Sequence, residues 1–287
     1  MSKIYSHFAI TSVLISSLAI FGCSSDDGGG AAAPTVPTGA VVITEANAKD
    51  VVSDALGVGN DLVNSLPTLA EIDQTPLARD IINLAISKVK NVTSETGLNI
   101  PTGVDFLEPC DNPSGTISGS YTESGNTISG TITFTDCTVF GITFNGTLDF
   151  AFSFDDVTGA FSDDLQGTIS GSDGVETATL SNLHFNESGN LFMYNYSLNN
   201  YDFTADFTGG GGFLVELIEA IVGDMLLICP SSGEILVTGA NGTQAMATIN
   251  SDDTVKIEFN DGSGTFVEVT EPPPGSPFPC TEFFTGF

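Results

Sequence analysis

The sequence predicts a mainly β protein: a curved antiparallel meander, closed only as far as a half-barrel or open barrel, with an N-terminal α-helical hairpin against it. Three observations carry that expectation. From Cys110 to Phe154 apolar and polar residues alternate almost without exception, the mark of half-buried strands. Further alternating runs continue to Thr270, punctuated by Gly, Asn and Asp turns. Ahead of them, Val51, Ala55, Val58, Leu62 and Leu66 recur at helical spacing within Thr44–Leu66. Ile82, Ala85, Ile86, Val89 and Val92 do so after a Thr75-Pro76 start, with Gly97 as the stop. Each helix alone leaves an apolar face uncovered, so the pair is expected to pack on the sheet or across its open end.

The first hairpin follows from period two. Ile117, Gly119 and Tyr121 share one face, as do Ile128, Gly130, Ile132 and Phe134. A turn at Ser124-Gly125 pairs Glu123 with Asn126, Tyr121 with Ile128, Gly119 with Gly130 and Ile117 with Ile132, and keeps the apolar residues together. Phe140, Ile142, Phe144, Gly146, Leu148, Phe150, Phe152 and Phe154 then occupy every second position. As one strand this run would span on the order of 45–50 Å. A two-residue turn at Asn145-Gly146 would mix the faces. A three-residue loop with a bulge would preserve them and stays open, but one long, strongly twisted strand is preferred.

Beyond it, Asp155–Asp164 reads as an acidic loop, and Leu165–Ser172 repeats the pattern of Ser114–Ser120. Asp173-Gly174 is a tight-turn signal. The inward parity changes between Leu180 and Leu183, and again between Leu198 and Tyr201, which predicts bulges near Ser181-Asn182 and Asn199-Asn200. The second of these runs is read as Leu191–Phe207, with Phe192 and Tyr194 among its inward residues. Gly209–Gly212 is a turn, and Phe213–Val222 fits a short helix or a buried strand. From Cys229 the chain resembles a diverged second copy of the opening motif, with strands at Glu234–Gly239, Thr243–Asn250, Val255–Asn260 and Thr265–Thr270.

The chain carries 36 Asp and Glu against 6 Lys and Arg, a net charge of −30. Nucleic acid and anionic lipid need clustered cations and are excluded as surface partners. Met1–Gly22 reads as a secretion signal, with Lys3 ahead of an apolar stretch too short to span a bilayer comfortably. Its end, Ile20-Phe21-Gly22-Cys23, resembles the lipobox of bacterial lipoproteins. That resemblance implies acylation of Cys23 and a lipid anchor; Ser24 in place of an aspartate points to the outer membrane. Residues 23–43 then hold the lipidated cysteine and a tether, 44–97 the helical hairpin, and 110–287 the β domain. The layout is similar to uncharacterised lipoproteins of Gram-negative bacteria that pair a lipobox with meandering strands and a late P-x-S-G…V-T-G-A-N-G segment, matched by Pro230–Gly242. The resemblance implies fold and localisation and carries no activity.

With Cys23 lipidated, four cysteines remain in an oxidising compartment, and four allow three pairings. The first hairpin's register, extended, sets Cys110 near position 139, which favours Cys110–Cys137 and leaves Cys229–Cys280. No CxxC or companion histidine supports zinc.

The residues offer little catalytic chemistry. His184 is the one histidine after the leader, it alternates within an apolar strand, and no G-x-S-x-G elbow occurs. Asp155, Asp156, Asp163 and Asp164 are weak calcium candidates, short of a complete D-x-[DN]-x-[DN]-G loop. Phe140, Phe144, Phe150 and Phe152 are core or the floor of an apolar ligand groove. No cofactor is expected. The expected function is a non-catalytic structural or binding module of the cell envelope, whose partner is the membrane through Cys23. The alternative is a carrier of a lipid or other hydrophobic ligand, with a hydrolase a distant third.

Overall fold

The structure, a computed structural model, describes residues 35–63, 104–112, 114–139, 141–270 and 276–284. The signal and lipobox, the second expected helix and Phe140 lie outside them. The described residues form a single antiparallel sheet. Its strands are β1 (Val104–Pro109), β2 (Thr116–Ser124), β3 (Thr127–Val139), β4 (Ile142–Phe154), β5 (Ala160–Ser172), β6 (Thr177–Asn190) and β7 (Asn195–Phe207). They continue as β8 (Phe213–Asp224), β9 (Ser232–Thr238), β10 (Gln244–Asn250), β11 (Thr254–Asn260), β12 (Val267–Val269) and β13 (Phe278–Pro279). Strands β1 to β12 lie in sequence order, each beside the next, and β13 adds to β11. The sheet is open, with β1 and β12 at its two ends.

Alternation sets the layers. Ile117, Tyr121, Ile132, Phe134, Phe144, Leu148 and Phe150 point to one face, and the Thr, Ser and Asp residues between them point to the other. The inward residues of β2 through β11 join one continuous core. One helix, α1 (Ala48–Val63), enters that core through Ala48, Val51, Val52, Ala55 and Leu56. Their i, i+3, i+4, i+7, i+8 spacing is that of a helix with one apolar face. Helix α1 starts four residues later than Thr44. Residues 44–47 form a turn in which the Thr44 amide donates to Asn47 Oδ1 at 2.6 Å. The two disulfides are Cys110–Cys137 and Cys229–Cys280, with Cα separations of 5.3 and 5.9 Å.

The structure corrects the expected details in several places. The first turn is Gly125-Asn126, not Ser124-Gly125, so Ser124 pairs with Thr127, Tyr121 with Gly130 and Ile117 with Phe134. Gly125 takes φ +63° as the first central residue of a two-residue loop, a position that favours glycine. The two-residue shift leaves every inward residue inward. β4 begins at Ile142, and no hairpin interrupts it at Asn145-Gly146. β3 carries a bulge between Phe134 and Cys137, with Asp136 at φ +45°. The bulges expected at Ser181-Asn182 and Asn199-Asn200 are present: the β6–β7 register shifts between Ser181 and His184 of β6, and again where Asn186 and Glu187 face Asn200 and Leu198 of β7, leaving Asn199 over. Phe213–Asp224 is a strand. β1 was not expected.

Candidate functional site

Four features carry chemistry. The first is the aromatic ladder of β4. Phe144, Leu148 and Phe150 are 1%, 0% and 4% exposed. Phe144 lies 6.1 Å from the Phe134 ring, and the half-buried Phe152 stacks on Phe150 at 5.4 Å. These groove candidates share one face of one strand and are packed as core.

The second is the acidic cluster. Only residues 155–159 form the loop, because β5 already starts at Ala160. Asp163 and Asp164 are strand residues, opposite Phe152 and Ala151, and successive strand residues face opposite sides. The four carboxylates therefore do not converge. Asp155 is already an acceptor: its Oδ1 takes the amides of Val157 and Thr158 at 2.9 and 3.1 Å. Those bonds, Thr158's first, hold its carboxyl below the usual aspartate range. Among the described residues no group of three or more His, Cys, Asp or Glu is set to hold a metal ion. Asp163 instead faces inward beside Glu187, its direct partner on β6. Glu187 is buried, and so is the neighbouring Tyr196. Burial, and then the Glu187 charge, push the Tyr196 phenol above its ordinary pKa. Glu187 continues the inward parity of Leu183 and Phe185, but as a charged residue it does not read as an inward one, and the sequence reading passed over it.

The third is His184, on the outer face of β6. Its Nε2 lies 3.5 Å from Asp164 Oδ2, and both side chains are about one-third exposed. Asp164 also accepts from Gln166 and Asn186. The histidine is one member of a cross-strand polar row on the solvent side.

The fourth was missed by the sequence reading. Phe192 and Tyr194 are not strand residues: β6 ends at Asn190, and residues 191–194 are the turn to β7. Phe192 and Met193 are 61% and 71% exposed there. Val157, in the β4–β5 turn, is 83% exposed; Leu226, in the β8–β9 connection, is 70% exposed. Since β4, β6 and β8 run the same way, these three connections lie at one end of the sheet. They are laced together: the Leu191 amide donates to Gly159 O at 2.9 Å and the Met225 amide to Tyr194 O at 2.7 Å. The polar stretch Asn186–Asn190 is the break the sequence offers between the two strands, but β6 runs through it to Asn190 and the turn falls at residues 191–194.

No helix among the described residues is long and apolar enough to cross a membrane. No family model, no curated protein and no solved structure matches this chain.

Proposed function

We propose that the protein is a non-catalytic binding module of the cell envelope, held in the outer membrane by an acylated Cys23. The sheet then curls as an open barrel around α1. The observation that carries this reading is the filled interior: Phe144, Leu148 and Phe150 are sealed in one core with Ala55 and Leu56 of α1. A sheet whose inner face is occupied by its own side chains works through its surface. The lipobox resemblance at Ile20–Cys23 supports the anchor.

Two measurements test it. Radiolabelled palmitate should enter the wild-type chain and not the Cys23→Ser variant, and the label should fractionate with outer membranes; a soluble, unlabelled wild type overturns the anchor. Native mass spectrometry of Ser24–Phe287 should give the bare, doubly disulfide-bonded mass. A co-purifying lipid-sized mass, lost when Phe144 and Phe150 are changed to Asp in a folded protein, would replace this reading with the hydrophobic-ligand carrier.

A further inference from the structure

We draw no further inference here: the strongest candidate, the exposed apolar patch of Val157, Phe192, Met193 and Leu226 on the three connections at one end of the sheet, carries nothing because nothing in the structure shows what covers it.

Discussion

The Tyr201 hydroxyl donates to the main-chain carbonyl of Ala55 at 2.5 Å, inside the core. This bond joins the middle of α1 to β7, and with the apolar contacts of Val51, Val52 and Leu56 it fixes the helix against the sheet. Tyr201→Phe keeps the ring, which stands edge-on to Phe203 at 5.2 Å, and removes only the donor. The expected loss is about 0.5–1.5 kcal/mol, read as a lower urea midpoint with an unchanged m-value.

Asn112 acts as a stand-in for a strand at the β3 bulge. Its Nδ2 donates to Asp136 O at 2.9 Å and its Oδ1 accepts from the Thr138 amide at 2.8 Å. The bulge breaks the ladder there, and the side chain restores both bonds. Asn112→Ala should cost about 1–3 kcal/mol, since the half-buried Thr138 amide loses its acceptor. Asn112→Asp keeps that acceptor and should recover part of the loss in the same denaturation series.

What the sequence made legible follows from what period two can and cannot encode. The bulges at Asn182 and Asn199 were readable because inward residues change parity across them, from Leu180 to Leu183 and from Leu198 to Tyr201. The bulge at Asp136 follows the same rule, from Phe134 to Cys137 and Val139, but the cysteine drew attention as a disulfide partner and not as an inward residue. Alternation fixes a register only to within two residues, so the choice between Ser124-Gly125 and Gly125-Asn126 rested on turn chemistry that both satisfy. At the candidate site the limit was different. Phe192 and Tyr194 share the every-second-position spacing of Tyr196 and Leu198, so the strand reads as starting at Leu191 and the turn as lying before it, whereas β6 occupies that stretch and β7 starts only at Asn195.

The two disulfides close loops of different size, with sequence separations of 27 and 51. On the chain-entropy model their removal costs about 3.5 and about 4 kcal/mol. Cys229→Ala with Cys280→Ala should have a second effect. Residues 276–284 hold Phe278, Phe283 and Phe284 in the core, and Lys49 pairs with Glu282 and lies 4.8 Å over the Phe278 ring. With the bridge gone, limited proteolysis should cut this tail before any strand of β2–β8, whereas the Cys110/Cys137 pair variant should keep it protected.

Carboxylates at the turns and on the helix should titrate in opposite directions. Asp173 sits below the usual range because the Glu176 and Val175 amides donate to it, and Asp261 because Ser263 does. Asp155 behaves alike. Folded pKa values below the unfolded ones mean that their stabilisation is present above the unfolded value near 3.9 and is lost as the pH falls through the folded value. Asp54 on α1 is raised, by burial first and then by the charge of Asp50. Its ionisation opposes folding, so acidification through its folded pKa adds stability, complete below the unfolded value. Carboxyl-carbon NMR titration should place Asp155, Asp173 and Asp261 below, and Asp54 above, an ordinary aspartate. Asp173→Asn should retain the turn while removing its share of the pH dependence.

β4 and β5 approach each other across a diagonal pair of glycines. Gly146 faces Ile169 and Gly167 faces Leu148, so each glycine lies beside a large inward side chain on the same face. A Cβ on Gly146, at φ +138°, would stand 2.3 Å from Thr168 O and 2.7 Å from Ile169 Cα. A Cβ on Gly167 would stand 2.3 Å from Thr147 O. Both obstacles are main chain and cannot rotate aside, so the strands would have to part or flatten. Gly146→Ala should therefore cost at least about 1–3 kcal/mol from backbone strain alone, a fall of about 2–4 °C in Tm for each kcal/mol in a chain of this size. Thr168→Ala, at an exposed neighbour on the other face, should stay within about 0.5 kcal/mol. If the two variants melt together, the close approach of β4 and β5 does not require a glycine at position 146; if Gly146→Ala alone falls, and Gly146→Val falls further, the inner-face glycines are the residues that let these two strands pack this closely.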